Sequence, residues 1–520
     1  MNSFMQRHGE EILGRLDGLD RARFRGTLRF IANGEGLGIV LHRLGVKMKE
    51  FAGYAQDVTE RIKTASLAVV ESAGREHRYL ASSSVSKEEV ARQIAARDGI
   101  TEGLVCGLSC VEPCLGFVVG KKENGDWGYR SCLRKCTHVY HYHIHPRLGW
   151  MYARLQTWFP FTIMVGINGR EWLGRRMDRS GIGYLRHDNC FVAVDDAARA
   201  QALLDAQLQT DWPGLLNKIA RGINPGHRRE FRALPLDYYW SAEQTEWASD
   251  VMFKSPDALA RLYPGLVRHA LTGLGCSDAL RFLRRRLPEE DRPPRRFEGD
   301  VMVDLKDFPD GTRIKHWVNS NSVKMYDKHP RVLRVETTIN DTREFRVYRK
   351  PEGKARAKMG WQRLRKGVAD LHRRAGVSQR ANDRYLEALA AVEASRPLGE
   401  LAGSICRPTT DQRGRRARAL NPMGQDADLL RAVGRGEFAL NGFRNRDIRD
   451  ALYGPAGDDA PQMRRQSAAV SRRLRLLRAH GLIVKVQKSH RYQLTNRGGQ
   501  LVAALAAAAA ADANKLAQAA

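Results

Sequence analysis

The chain has 520 residues, 87 of them Lys or Arg against 58 Asp or Glu, for a formal charge of +29 and a pI near 10.1. That length calls for two or three domains, and 42% apolar residues, with all nine Trp before residue 370, argue against wholesale disorder. Charge of this sign points to a polyanionic partner, DNA or RNA, the plain alternative being a solvated Arg-rich surface.

Residues 1–25 carry charges throughout and no apolar run long enough for a signal peptide or a membrane span. A cytoplasmic, nucleoid-associated protein with no membrane partner is expected, its eight Cys reduced. Residues 1–100 read as a helical N-terminal region. Val46–Ala73 has helical spacing, and Ser86 is placed to cap a helix with Glu88 and Glu89 in its first turn. From Gly103 the period changes to two, with strands expected at Gly103–Pro113, Gly116–Lys121, Arg130–His145, Trp150–Trp158 and Phe161–Ile167. A helix Gly169–Ser180 and a strand Asn189–Val194 complete an antiparallel-sheet α+β core over 101–195. Residues 196–290 read as helical again.

A Pro and charge cluster at Pro288–Arg296 precedes a second β block, 297–350, with strands at Gly299–Lys306, Thr312–Val318, Ser322–Asp327, Val332–Ile339 and Phe345–Tyr348. A basic helical region (351–406) follows, with Trp361, Leu364, Val368 and Leu371 as its apolar stripe. A linker (407–424), a winged helix-turn-helix (425–500) and an Ala-rich tail (501–520) complete the expected α+β multidomain fold.

The C-terminal expectation rests on element order. Asn445 is placed to cap a helix Arg446–Leu452, and a second helix, Met463–His480, buries Val470, Leu474 and Leu477. Gly481 stands where a left-handed residue is wanted, before strands Leu482–Val486 and Tyr492–Thr495. The outer helix face offers Arg464, Arg465, Gln466, Ser467, Ser471, Arg472 and Arg475 to bases and phosphates, and the wing offers Lys488, His490 and Arg491. Protein contact is the alternative use. A homodimer on paired half-sites is compatible with such a module.

The run Val323-Lys324-Met325-Tyr326-Asp327-Lys328, a turn, then Val332-Leu333-Arg334-Val335-Glu336-Thr337-Thr338 reads as two neighbouring strands. By period two, Lys324, Tyr326 and Lys328 share one face of the first strand, and Arg334, Glu336 and Thr338 share one face of the second; if these faces coincide, a sheet surface collects a phenol, two ammonium groups, a guanidinium and a carboxylate. This block resembles the motif pair of the rolling-circle replication initiators of small plasmids and filamentous phages. The resemblance implies a catalytic set of Tyr326, Asp327, Lys328, Arg334 and Glu336, with Tyr326 the nicking nucleophile and Glu336 a ligand of a divalent metal, Mg²⁺ or Mn²⁺. The alternative is an amphipathic strand residue beside a structural cross-strand pair. Arg154-Leu155-Gln156-Thr157-Trp158-Phe159-Pro160-Phe161 and Asn168-Gly169-Arg170-Glu171-Trp172 resemble a widespread bacterial protein family associated with mobile elements, which implies no activity.

His141, His143 and His145 point one way along a strand, and the His143/His145 pair has the spacing those endonucleases use to hold a metal, so His143, His145 and Glu336 form the expected metal set. Solvent-facing histidines are the alternative. Zinc on Cys132, Cys136 and His138, or on Cys106, Cys110 and Cys114, competes with thiols packing as small hydrophobes. Arg154, Gln156 and Trp158 fit either base stacking or core packing. Gly34, Gly36 and Gly38 lack the flanks of a phosphate loop. Two functions follow: a DNA strand-nicking initiator or transposase-like enzyme, or a non-catalytic DNA- or RNA-binding regulator or ribonucleoprotein component. A recombinase with an RNase H-like Asp304 and Glu336 pair lacks a visible third carboxylate.

Overall fold

The computed structural model describes residues 2–232, 234, 236–283, 300–308, 311–353, 356–390, 398–411, 414–438, 442–455, 459–486 and 489–511. The fold is mixed α+β with a large central sheet and several small ones. In chain order its strands begin β1 (Ile12–Leu28), β2 (His77–Leu80), β3 (Gly103–Lys121), β4 (Trp127–His145), β5 (Gly149–Gln156) and β6 (Ile163–Asn168). They continue β7 (Tyr184–His187), β8 (Cys190–Val194), β9 (Tyr238–Phe253), β10 (Val301–Phe308), β11 (Gly311–Val318), β12 (Asn321–Lys328) and β13 (Val332–Ile339). The chain divides into two compact units.

The first unit is Gly14–Asp250 with Glu336–Gln379. Its strand order is β2-β3-β4-β5-β6-β1-β9-β13, with β2 parallel to β3 and the pairs from β3 through to β1 antiparallel. One face is covered by the helices Phe51–Ser72 and Trp212–Ile223, whose Phe51, Val58, Ile62, Trp212 and Leu216 share a core with Phe24, Leu155 and Val165. The helix Lys87–Arg97 covers the far end of the other face, setting Ala91 and Ile94 against Leu108, Tyr140 and Tyr142. Ser86 caps it, its hydroxyl accepting from the Glu89 amide at 3.3 Å.

Two long strands lie where helix is expected. β1 occupies part of the supposed helical N-terminal region, and β9 part of residues 196–290. In β1 the alternation of Ala22 and Phe24 with Arg21, Arg23 and Arg25 is a period of two, which charge on every second residue disguises. The supposed helix at Trp361 is likewise a short strand, Gly360–Arg363, paired with Arg346–Arg349. The basic helix begins at Leu371.

The second unit is Met1–Leu13, Val251–Val335 and Arg380–Ala520, with strand order β10-β11-β12-β13. The helix Pro256–Thr272 sets Leu259, Leu262 and Leu266 against Ile314, Val323, Met325 and Leu333. Its C-terminal part forms a core of its own. Helices Ala427–Val433, Asn445–Tyr453, Ala460–Ala479 and Asn496–Ala510 and the hairpin of Ile483–Lys485 with Tyr492–Leu494 bury Leu430, Ile448, Val470, Leu474, Leu477, Leu482 and Leu501 together. Gly481 takes φ +70° after the long helix, the left-handed stop that its position demands.

The helix Gly169–Ser180 starts where β6 ends, capped by Asn168, whose Oδ1 accepts from the amides of Arg170 and Glu171 at 2.9 and 3.1 Å. A Cβ on Gly169 would stand 1.9 Å from the Leu19 carbonyl oxygen. Gly169→Ala must therefore push the helix start off β1. We expect a loss of about 1–3 kcal/mol in urea unfolding, far above the effect of Ala at the uncrowded Gly53.

Candidate metal centre

β13, β9 and β1 are consecutive in the first unit's sheet, and each contributes one carboxylate. Asp20 of β1 and Glu336 of β13 are buried and Glu246 of β9 is half-buried. One oxygen from each lies within 4.8 Å of the other two. Neighbouring strands run about 4.8 Å apart, so Asp20 and Glu336, on the two strands flanking β9, reach each other by converging over Glu246. Among the described residues no other three His, Cys, Asp or Glu side chains come together as such a group.

Asp20 is held in place from two sides. Asn189 Nδ2 donates to Asp20 Oδ1 at 2.7 Å, and Arg170 Nε lies 3.7 Å from the same oxygen. Arg170 is fully buried, and its Nη2 reaches Asp250 Oδ2 at 2.9 Å and donates to the Ala248 carbonyl at 3.2 Å. Arg170 thus joins the helix start to β1 and β9. Loss of solvent around Arg21 would lower its pKa, but the charges of Asp20, Glu246, Glu88 and Glu336 outweigh it and hold the guanidinium above its ordinary value. Three oxygen donors this close suit a hard cation, Mg²⁺ or Mn²⁺, which screens their mutual repulsion.

The sheet does not assemble the expected metal set of His143, His145 and Glu336. The histidines lie on β4, with β5, β6, β1 and β9 between them and β13, five strand spacings away and too far for one ion. His145 Nδ1 instead accepts from the amides of Arg147 and Leu148 at 3.0 and 3.1 Å, which closes the turn after β4. Cys132, Cys136 and His138, and Cys106, Cys110 and Cys114, form no three-ligand group either. Cys136 Sγ lies 4.0 Å from His138 Nδ1 within a buried patch. Asp304, on β10, pairs with Arg313 at 3.2 Å.

Tyr326 belongs to the second unit, half-buried on β12, with Lys324 Nζ, Lys328 Nζ and Arg334 Cζ 5.7, 6.0 and 5.9 Å from its ring centre. The expected gathering of cations around this phenol is thus present. Asp327 Oδ1 accepts from the Thr312 amide at 2.8 Å and ties β12 to β11. Lys328 and Arg334 are buried. Glu336 alone of the expected catalytic set belongs to the acidic group.

Gln156 is buried, and its Nε2 donates to the carbonyls of Leu115, Trp158 and Phe159 while its Oε1 accepts from Thr162, so it fastens the turn after β5. Arg154 pairs with Glu112 at 3.2 Å, and Arg134 stacks on Trp158 at 3.6 Å. These contacts make Gln156 and Trp158 parts of the local packing. On the helix Ala460–Ala479, Arg464, Arg465, Ser471, Arg472 and Arg475 are exposed, and Gln466 and Ser467 half-buried. His490 is exposed and Arg491 donates to the Gly442 carbonyl at 3.2 Å, while Lys488 lies outside the described residues.

His141 shows what burial does to the row of imidazoles. Its Nε2 meets Ser66 Oγ at 2.8 Å, and that hydroxyl donates to the Ile223 carbonyl at 2.7 Å, so the neutral ring donates from Nε2. Nδ1 is buried without a partner, and a second proton there would be stranded. Burial accordingly pushes His141 down to about 3, and His138 and His143 to about 4. The unfolded chain binds these protons near pH 6.5, so stability is full above that pH and falls as pH drops from 6.5 toward 4. The slope should be about 1.4 kcal/mol per pH unit per histidine, and His141→Asn should flatten an acid unfolding profile by one proton's worth. The chain matches no protein-family model, no curated protein and no solved structure.

Proposed function

We propose that this protein binds nucleic acid and breaks or transfers phosphodiester bonds with a divalent cation held by Asp20, Glu246 and Glu336. The convergence of these three carboxylates within 4.8 Å, in a chain of charge +29, carries the reading. A polyanionic substrate would be drawn to the basic surface, and an acidic pocket in such a chain needs a cation before a phosphate can approach it. Asn189 and Arg170 keep Asp20 in one orientation, and half-exposed Glu246 marks the open side. The bound ion would supply charge to a phosphate oxygen as bonds change. The helix Ala460–Ala479 and the hairpin after it act in this reading as a winged helix that delivers the enzyme to duplex DNA through exposed Arg465, Arg472 and Arg475. No helix among the described residues is long and apolar enough to cross a membrane.

A second reading, nicking through a covalent tyrosine, is favoured by the three cations around Tyr326. One experiment separates the two. Mn²⁺ binding by calorimetry and cleavage of single-stranded and supercoiled DNA would be measured for wild type, Asp20→Asn, Glu246→Gln, Glu336→Gln and Tyr326→Phe. We expect the acidic-site variants to lose Mn²⁺ binding and at least 100-fold in cleavage while still binding DNA, with Tyr326→Phe active. A protein–DNA adduct lost only in Tyr326→Phe would establish the tyrosine enzyme. Wild type that binds neither Mn²⁺ nor cleaves, yet holds DNA, would leave a non-catalytic binder.

A further inference from the structure

β10 ends the second unit's sheet, whose order is β10-β11-β12-β13. Among the described residues β11 is its only strand neighbour, so the other edge of its backbone has no ladder partner there. Edge strands are ordinarily short, bulged or heavily charged, because their free amides and carbonyls template pairing with another chain. β10 is built otherwise. Its eight residues pair with β11 in one unbroken register from Val301↔Val318 to Phe308↔Gly311, and Met302, Val303, Leu305 and Phe308 are 56, 41, 50 and 42% exposed. Met302 and Phe308 lie on one face and Val303 and Leu305 on the other. A layer packed on one face would cover one of these sets, whereas a strand added at the edge shields the flanks of both.

The charges on β10 select its partner. The strand carries Asp304, Lys306 and Asp307 in a chain whose net charge is +29. Two copies of so basic a chain repel over most of their surface, and approach is easiest where acid and base alternate. Arg313 Nη2 lies 3.2 Å from Asp304 Oδ2 and Lys306 Nζ 3.9 Å from the same oxygen, so acid and ammonium share the face of Met302 and Phe308. Laid antiparallel about a two-fold axis at Leu305, β10 and its copy set Asp304 opposite Lys306 twice, Met302 opposite Phe308 twice, and Leu305 opposite itself. Registers centred on Asp304 or on Lys306 set like charges opposite each other instead.

We propose that the outer edge of β10 binds the same edge of a second copy of this chain, antiparallel and centred on Leu305, so that the sheets of two second units run on as one. Ladder hydrogen bonds along the strand supply adhesion, and the alternation of charge supplies the register. Two edges of eight residues make a small interface, which suits a dissociation constant on the order of 10 µM. Because β10 and the helix Ala460–Ala479 belong to the same unit, the pairing brings two copies of that helix into one assembly. The inference depends on neither the acidic group nor a nucleic acid.

The test is analytical ultracentrifugation of the full chain, free of nucleic acid, from about 1 to about 100 µM. The variants are Asp304→Lys, Lys306→Asp and the double exchange Asp304→Lys/Lys306→Asp. Either single exchange sets like charges opposite each other at two points, and the double restores both pairs with their signs reversed. We expect wild type to dimerise, each single variant to dimerise more weakly by about tenfold or more, and the double variant to return to within about threefold of wild type. Lys306→Asp leaves Asp304 with Arg313, so it decides the matter should Asp304→Lys fail to fold. A second measurement reads the register. With the exposed Cys276 and Cys406 exchanged for Ser, Leu305→Cys should form a disulfide-linked dimer under diamide. Val303→Cys should not, because the two Val303 positions stand about 13 Å apart along the paired strands. Wild type that stays monomeric throughout would overturn the proposal, as would dimerisation unchanged in both single variants, or a loss that the double exchange does not recover.

Discussion

Arg170 is a full positive charge with no exposed surface, and such a charge is tolerated only where carboxylates and carbonyls surround it. It has Asp250 and the Ala248 carbonyl on β9 and Asp20 on β1, while its own backbone opens the helix that Asn168 caps. Three elements are therefore fixed by one guanidinium. The position of Asp20 beside Glu246 and Glu336 depends on that arrangement, because a shift of β1 against β9 would open the ion pairs and the acidic group together. Removing one partner of a buried pair costs about 3–5 kcal/mol in general, which is a measure of how stiffly the acids are held.

The same economy appears on the far side of β9. Arg374 is buried and donates to Thr245 Oγ1 at 2.7 Å, to the Ala242 carbonyl, and to the Ile339 carbonyl at the end of β13. Burial pushes its pKa down. Gln379, on the same helix, accepts from Trp247 Nε1 at 2.6 Å and donates to Asp17 at 3.1 Å. Arg374 and Gln379 thus tie the helix that begins at Leu371 to β13, β9 and β1. Polar ties of this kind are worth little each in net terms, but they fix one register where apolar packing alone would accept several.

Much of the fold is legible in the sequence where one physical signal dominates. Asn168 before Gly169–Ser180 marks a helix start by its capping chemistry, and Val332–Ile339 is apolar and β-branched enough to read as a strand at its true limits. Lys324 and Lys328 beside Tyr326 follow from period two, while Arg334 joins them only because the faces of two neighbouring strands coincide. The acidic group is another matter. Glu336 stands out by its motif, but Asp20 and Glu246 sit on strands whose alternating charges look like helix surface, and nothing local says that residues 20, 246 and 336 share one level of a sheet. That fact lives in strand order, which joins β1, β9 and β13 across more than 300 positions of chain. Gln156 misleads for the opposite reason: an amide beside aromatics resembles a base-binding set, and only its three carbonyl partners reveal a turn clamp.

β1 sets Ala22 and Phe24 into the core and leaves Arg21 and Arg23 outside it at alternating residues. A slip of one position in its pairing with β6 would therefore exchange the two faces wholesale. The core would receive guanidinium groups, and the outer side would receive Ala22 and Phe24. Insertions or deletions of a single residue between Gly14 and Leu28 are thus forbidden twice over, by the core and by charge. Change in this strand can only come as substitutions in place or as length changes in steps of two.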